Sequence, residues 1–184
     1  ILRSDWKKWV DLTEKYANEY LQNVNPCEKN VLITYVSAYG YTREMAEAIA
    51  EGIASVGNIN VKLLDIEKSD LGEMESMLTR ATGIIVGSPT INQNILLPVY
   101  KLFAVINPLR DRGKLAASFG SYGWSGEGVK IIDSTLKQLK LNVFRDGLSD
   151  KFQPFVEEKE KFFSLGREFA ITLNEQSAAA NKEG

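Results

Sequence analysis

The chain has 184 residues, 44% of them hydrophobic and 25% charged, and its net charge is −2. This composition is typical of one globular domain, and without a basic excess it gives no support to nucleic-acid or anionic-membrane binding. No apolar run approaches the roughly 18 residues of a membrane span. The charged, amphipathic N-terminus is unlike a signal peptide, so we expect a cytoplasmic protein.

Histidine is absent and cysteine occurs once, which excludes several kinds of chemistry. Without histidine the chain can form neither a Ser-His-Asp triad nor a Cys-His dyad, and it lacks the commonest ligand of zinc and non-haem iron. Cys27 lies alone in a polar connector, so it has no disulfide partner within the chain and is best explained as an incidental thiol. We therefore expect any chemistry to belong to a bound organic cofactor.

The first predicted element is a helix over residues 4–22, with aromatic and aliphatic side chains at helical spacing. Its aromatic stripe is more typical of packing than of cofactor binding. The segment NVNPCEKN, residues 23–30, predicts the end of this helix and a linker. Because the chain begins with Ile1 rather than Met, we expect it to be a piece of a longer protein or a trimmed product.

From residue 31 onward, strand and helix patterns alternate. Apolar runs predict five strands, at residues 31–36, 59–66, 82–89, 113–123 and 141–149. Five helices are predicted between and after them, at residues 42–55, 70–78, 96–106, 127–140 and 155–174. This alternation indicates an α/β fold, a doubly wound parallel sheet in three α/β/α layers, whose ligands bind at the carboxyl ends of the strands. The small and polar residues 175–184 predict a linker or frayed tail.

Three loops follow strands one, three and four at that edge, and the first is SAYGYT, residues 37–42. Ser37 and Thr42 flank Gly40, and the loop leads into a helix N-terminus. Free backbone N–H groups and the helix dipole favour a phosphate at such a position. The loop has neither the lysine of a Walker A motif nor the glycines of a dinucleotide fingerprint. An ordinary strand–helix turn with an N-cap is the alternative interpretation.

The second loop, SPTINQN, and the third, SYGWSGE, carry amides and aromatic residues. Thr90, Asn92 and Asn94 of the second could bind the polar edge of a heterocycle, although an asparagine-rich turn explains them equally well. In the third, Tyr122 and Trp124 stand among glycines and predict stacking on a flat ring system. The alternative is that Trp124 folds back into the core.

Taken together, the first loop is predicted to bind a phosphate, the second to contact the polar edge of a ring system, and the third to stack on the face of that ring. This combination describes a flavin mononucleotide (FMN) site. From residue 31 to about 173 the chain resembles the flavodoxin family, and specifically the flavodoxin-like domain of flavodiiron proteins, or A-type flavoproteins. The strings that carry this resemblance are YVSAYGYT, GSPTINQNILLP and FGSYGWSGE. Tyr41 and Gln93 depart from the residues usual at their positions in that group.

The resemblance implies strand order 2-1-3-4-5 and a non-covalently bound FMN. Its implied phosphate-binding residues lie in the first loop, its stacking residue is Trp124 with Tyr122 beside it, and ring-edge contacts come from the second and third loops. The full implied set is Ser37, Ala38, Tyr39, Gly40, Tyr41, Thr42, Pro89, Thr90, Ile91, Asn92, Ser121, Tyr122, Gly123, Trp124 and Gly126. Glu127 is close enough in sequence to disfavour an anionic reduced flavin, but a first-turn helix carboxylate explains it more simply.

The resemblance also implies three segments: a connecting helix at 1–25 that ends a preceding metallo-β-lactamase-like domain, the FMN domain at 26–174, and the tail at 175–184. The implied function is to relay electrons from a rubredoxin or flavin-reductase type donor to a diiron centre that reduces oxygen or nitric oxide, in a parent protein whose copies pair as a homodimer. The sequence itself leaves two alternatives open, a stand-alone NAD(P)H:quinone reductase and an interaction module with an empty site. A response-regulator receiver is disfavoured because TYVSAYG lacks its acidic cluster.

Overall fold

A computed structural model describes residues 6–7, 10–11, 29–152 and 156–183, with the side chains of the last segment described from 158 to 178. The strands are β1 (Lys29–Tyr35), β2 (Ile59–Asp65), β3 (Gly83–Gly87), β4 (Leu115–Tyr122), β5 (Asn142–Val143) and β6 (Leu148–Lys151). The helices that follow β1 are α1 (Tyr41–Ala54), α2 (Leu71–Arg80), α3 (Leu97–Val105), α4 (Glu127–Gln138) and α5 (Val156–Glu183).

The strands form one parallel sheet in the order β2-β1-β3-β4, with a fifth position filled by two short strands. β5 pairs with the start of β4 and β6 with its end. β1 lies between β2 and β3, and Val31 is opposite Val61 of β2 and Gly83 of β3. The predicted doubly wound fold and the strand order 2-1-3-4-5 are therefore confirmed.

Two hydrophobic cores lie on the two faces of the sheet, as a buried parallel sheet requires. One packs α2, α3 and α4 against it, and the other packs α1 and α5. Two glycines let α1 and α5 approach closely. A Cβ on Gly52 would lie 2.0 Å from the carbonyl oxygen of Phe163, and one on Gly166 would lie 2.1 Å from that of Ile49. No side chain larger than hydrogen fits at either position without moving a backbone.

The fifth predicted strand, 141–149, is instead split into β5 and β6. The carboxylate of Asp133 on α4, which is buried, accepts a hydrogen bond from the Ser118 hydroxyl of β4 and one of 2.8 Å from the Gly147 backbone N–H. The bond from Gly147 holds the chain between β5 and β6 against α4, at the point where the ladder with β4 is interrupted. The alternating pattern of the sequence does not show which backbone groups a buried carboxylate will bind.

Two further predictions concern the ends of the chain. The last helix runs to Glu183, so residues 175–183, predicted as a linker or frayed tail, are helical. The predicted helix at 4–22 lies mostly outside the described residues, although the described residues 6–7 and 10–11 within it are helical. No helix in the described ranges has the length and apolar character needed to cross a membrane.

At the amino ends of the strands, a fully buried carboxylate binds two cations. Asp111, in the loop before β4, accepts hydrogen bonds from Arg110 and from the Lys114 amine at 2.7 Å, and another from the Asn107 backbone N–H. Lys114 also donates to the Leu78 carbonyl of α2 at 2.7 Å. Burial alone raises the pKa of Asp111, but the hydrogen bonds from Arg110 and Lys114 outweigh it and hold the pKa below its ordinary value.

Candidate functional site

The three loops predicted to form a site meet at the carboxyl edge of the sheet, and Ser121 joins them. Its hydroxyl lies 3.0 Å from the Thr42 hydroxyl of the first loop. Its backbone carbonyl accepts a 2.8 Å hydrogen bond from the Thr90 N–H of the second loop. Thr42 and Ser121 are both buried, so these bonds are shielded from water. The loops are therefore one connected structure.

Within the first loop, Gly40 has a φ of 90° and is the N-cap of α1, so Tyr41 and Thr42 form the first turn of that helix. A left-handed φ of this kind favours glycine, and no heavy atom lies within 4 Å of a Cβ placed there. No side chain caps the helix at Gly40. The Ser37 hydroxyl accepts a long hydrogen bond, 3.3 Å, from the Arg43 N–H. The helix N-terminus is thus open to an anion on the side that Gly40 leaves free.

The other residues of the first loop differ in exposure. Tyr39 is 80% exposed, and its ring centroid lies 6.4 Å from that of the half-buried Tyr41. Ala38 is exposed. Thr42 is only 1% exposed and faces Ser121. Tyr39 is therefore accessible to a ligand, whereas Thr42 also connects this loop to the third.

The second loop is a two-residue hairpin. Ile91 and Asn94 exchange two backbone hydrogen bonds of 3.0 Å, and Asn92 and Gln93 between them have φ of 53° and 60°. Two successive positive φ angles identify a type I′ turn. The hairpin presents Asn92 to solvent, while Pro89 is buried beneath it. The Asn94 carboxamide oxygen accepts from the Ile95 N–H and the Tyr100 hydroxyl, so that oxygen is engaged within the chain.

The third loop carries Trp124, which is 95% exposed. The alternative in which this ring folds into the core is therefore wrong. Tyr122 and Gly123 are half-buried at the end of β4. A Cβ on Gly126 would lie 3.2 Å from the Ser149 hydroxyl oxygen and 3.4 Å from the Tyr122 ring, so the loop lies close to both residues. The loop thus holds an indole in solvent beside a half-buried phenol.

The start of α4 connects the second and third loops. The Gly128 N–H donates to the Thr90 hydroxyl at 3.1 Å, and a Cβ on Gly128 would lie 2.7 Å from that oxygen. One residue earlier, a hydrogen bond from Ser125 lowers the pKa of the Glu127 carboxyl and so favours its ionised form. The Glu127 Oε2 atom is buried and lacks a hydrogen-bond partner among the described residues. A buried acceptor of this kind is suited to a donor from a ligand or water.

One aromatic residue at this edge was missed by the sequence analysis. Phe152 follows β6, and its backbone N–H donates to the Tyr122 carbonyl at 2.8 Å. A Cβ on Gly123 would lie 3.2 Å from the Phe152 ring. Phe152 lies far along the chain from all three loops. It falls between the predicted fifth strand and the predicted last helix, outside both. Only the pairing of β6 with β4 brings it to the site.

These features fit an elongated ligand that has an anionic end and a flat ring system. The uncapped helix N-terminus and Gly40 leave room for the anion, exposed Trp124 offers a stacking surface, and the Glu127 Oε2 atom has no donor among the described residues. A cavity elsewhere, about 480 Å³ between α2 and the starts of β1 and β2, is lined by none of the three loops. Within the described ranges, no group of three His, Cys, Asp or Glu side chains is placed to hold a metal ion.

Comparison with known families and relatives agrees with this geometry. The sequence model of the family described as Flavodoxin matches residues 33–166. The chain is 36% identical over 178 residues to the type A flavoprotein fprA of Rhodobacter capsulatus, covering 97% of this chain and 41% of that protein. It is also 36% identical over 174 residues to the flavo-diiron protein FprA2 of Clostridium acetobutylicum, covering 94% and 42% respectively. The chain thus spans about two fifths of the length of these curated relatives.

Solved structures show the same likeness. The rubredoxin oxygen:oxidoreductase of Desulfovibrio gigas superposes with a TM-score of 0.78 at 28% identity, covering 94% of this chain and 42% of that one. A flavodoxin from the domain Archaea superposes with a TM-score of 0.69 at 31% identity, covering 79% of this chain and 99% of that one. The likeness therefore extends both to a domain within a larger protein and to a nearly complete small protein.

Proposed function

This chain belongs to the flavodoxin family and binds FMN, and we propose that it is the electron-relay domain of a flavodiiron protein. In this role it takes electrons from a redox donor and passes them to a diiron centre carried by another domain of the parent. Bound FMN supplies the reversible one- and two-electron chemistry. The chain supplies the binding site, the orientation of the ring and the electrostatic surroundings.

The observation that carries the proposal is the position of Ser121 between the other two loops. Its hydroxyl bonds Thr42 and its carbonyl bonds the Thr90 N–H. An FMN molecule needs a phosphate site, a ring-edge site and a stacking surface at fixed separations. Three loops that moved independently would order themselves only on binding, at an entropic cost, whereas these bonds fix them beforehand.

In the proposed complex, the first loop holds the phosphate with Ser37, Tyr39, Tyr41 and Thr42 and with backbone N–H groups from 38 to 42. Trp124 stacks on the ring, as its 95% exposure permits, and Tyr122 borders it. The ring edges are contacted by the second and third loops, through Pro89, Thr90, Ile91, Asn92, Ser121, Gly123 and Gly126. The buried Glu127 Oε2 then receives a hydrogen bond from the ligand or from a bridging water.

The parent protein and its partners belong to the same proposal. The relatives named flavo-diiron protein and rubredoxin oxygen:oxidoreductase are more than twice the length that this chain covers. We infer that this chain pairs with a diiron metallo-β-lactamase-like domain and accepts electrons from a rubredoxin or flavin-reductase type donor. Pairing of two parent chains would bring flavin and iron together. The reduction of oxygen or nitric oxide is then expected of the parent and not of this domain alone, and a cytoplasmic location stays a prediction of the sequence.

The first experiment is a visible-spectrum and fluorescence titration of the purified chain with FMN. We expect tight binding with quenched flavin fluorescence. Trp124→Ala should raise the Kd at least tenfold, which corresponds to about 1.4 kcal/mol. Trp124→Phe, which keeps an aromatic face, should lose less.

Trp6 gives a matched control, because it is also exposed, at 70%, but precedes the sheet in the chain. Trp6→Ala should leave the FMN Kd unchanged. Failure of the wild-type chain to bind FMN in excess would contradict the electron-relay function and favour an interaction module. Rapid NADPH or NADH oxidation by the FMN-loaded chain with a quinone acceptor would instead favour the quinone reductase.

A further inference from the structure

We propose that Phe152 is a further residue of the cofactor site, an aromatic wall that contacts the flavin ring beside the third loop. This inference rests on the proposed FMN site and adds a residue from β6, an element outside the three loops. The supporting observations are the position of Phe152, its backbone conformation and its exposure.

The backbone fixes where Phe152 lies. β6 runs parallel to β4, with Lys151 opposite Tyr122, and the next N–H, that of Phe152, donates to the Tyr122 carbonyl at 2.8 Å. Phe152 is therefore attached to the residue from which the third loop begins. Its ring extends to Gly123, where an added Cβ would lie 3.2 Å from the ring edge. Any ligand that contacts the Gly123 backbone also lies next to this ring.

The conformation of Phe152 is costly for the free protein. Its φ is 55°, in the left-handed region that a bulky side chain rarely adopts. The four other described non-glycine residues with positive φ are Asn58, Asn92, Gln93 and Lys140, none of which is aromatic. Backbone strain of this kind persists where surrounding contacts enforce it, and it concentrates at ligand sites.

The ring itself gains little from burial in return. Phe152 remains 56% exposed, and the amine of Lys151 lies 5.7 Å from its ring centroid. A strained residue with an exposed apolar ring is not explained by packing, because most of the ring surface stays in water. Contact with a flat, apolar ligand surface would bury that face and supply the missing stabilisation.

The test compares two substitutions that both remove the ring but differ in strain. For Phe152→Ala and Phe152→Gly we expect the FMN Kd, measured by fluorescence on folded protein, to rise about five- to tenfold. Without FMN, the glycine variant should melt about 2–4 °C above the alanine variant, since only glycine adopts the left-handed conformation freely. Phe152→Tyr, which keeps the ring, should bind FMN within about twofold of wild type.

Leu109→Ala is a matched control, because Leu109 is 89% exposed at the opposite edge of the sheet, and it should leave the Kd unchanged. An FMN Kd unchanged by loss of the Phe152 ring would overturn the proposal, whether or not the variants are less stable. Such a result would leave the electron-relay function intact, since the wild-type chain would still bind FMN. Only failure of the wild type to bind would contradict both.

Discussion

Polar groups are paired differently at the two ends of the parallel strands, the amino edge and the carboxyl edge of the sheet. At the amino edge, the buried Asp111 carboxylate receives hydrogen bonds from Arg110, Lys114 and a backbone N–H, so its charge is fully paired. At the carboxyl edge, the Glu127 Oε2 atom is buried without a partner among the described residues, and the Trp124 ring lies in water. One edge is complete by itself, and the other leaves polar and apolar groups for a ligand to contact.

This difference indicates that polar groups at the amino edge contribute to folding stability, whereas groups at the carboxyl edge are available to bind a ligand. Pairing of Asp111 fixes the loop before β4 to α2 through the Lys114 bond to the Leu78 carbonyl. At the carboxyl edge, Trp124 and Phe152 leave apolar rings in water, so these side chains gain little stability from burial. If this division holds, mutations at the amino edge should change stability alone, and mutations at the carboxyl edge should change FMN binding as well.

The largest expected effect is that of Asp111→Asn. The substitution leaves Arg110 and Lys114 partly buried without their carboxylate, so we expect the free energy of unfolding to fall by about 3–5 kcal/mol. The FMN Kd of the folded variant should stay unchanged. Urea denaturation and an FMN titration at low temperature measure the two quantities. A large rise in the Kd would contradict the proposed difference between the two edges.

The pH dependence of folding stability gives a second test of the role of Asp111. Hydrogen bonds from Arg110 and Lys114 outweigh the opposing effect of burial and lower the pKa of Asp111 from 3.8, so below pH 3.8 the unfolded chain binds more protons at this site than the folded one. The stabilisation is thus present above pH 3.8 and is lost as the pH falls through the folded value. The gap in stability between wild type and Asp111→Asn should narrow over that range.

Asp70→Asn is the control, at the exposed N-cap of α2. The asparagine oxygen can still accept the hydrogen bond from the Glu73 N–H, so this substitution should lower the free energy of unfolding by less than about 1 kcal/mol.

The next largest expected effect is that of Thr42→Val, which tests the connection between the first and third loops. Valine keeps the shape of threonine but leaves the buried Ser121 hydroxyl without its partner, which should cost about 1–3 kcal/mol in stability. Because the first and third loops are then no longer tied, we also expect weaker FMN binding. Calorimetry of the free chain and an FMN titration would measure both effects.

Thr42→Ser keeps the hydroxyl and serves as the control, with stability and affinity near those of wild type. Ser121→Ala should resemble Thr42→Val, and the double variant should lose less than the sum of the two. Full additivity of the two losses would show that the hydroxyl pair contributes nothing to the link.

The smallest expected effect is that of Gln93→Gly. It places Asn-Gly, the preferred pair of a type I′ turn, at positions whose φ are 53° and 60°, so we expect stability to rise by about 0.5 kcal/mol. Lys140→Gly, at a φ of 66° on the amino edge, should give a similar gain. Thermal melts of the two variants provide the comparison. A gain at Lys140 but a loss at Gln93 would mean that the glutamine side chain stabilises the second loop.

The sequence alone predicted the alternation of strands and helices, because apolar runs and helical periodicity record which faces are buried. It also placed the three loops at one edge, since parallel strands share their carboxyl ends. The exposed position of Trp124 was left open, because a tryptophan on a glycine-rich loop can fold either way. The residue types of the three loops together predicted the FMN site, and the family resemblance supplied the strand order.

Only the tertiary structure decided how residues distant in sequence combine. The Thr42–Ser121 bond, the interruption between β5 and β6 at Asp133, and the position of Phe152 over Gly123 each join segments that no local pattern relates. The same holds for Asp111, whose burial and partners depend on how the loop before β4 packs against α2. Local patterns determine which elements form, because secondary structure depends on neighbours along the chain. Long-range pairing determines which polar groups are satisfied and which are left for a ligand.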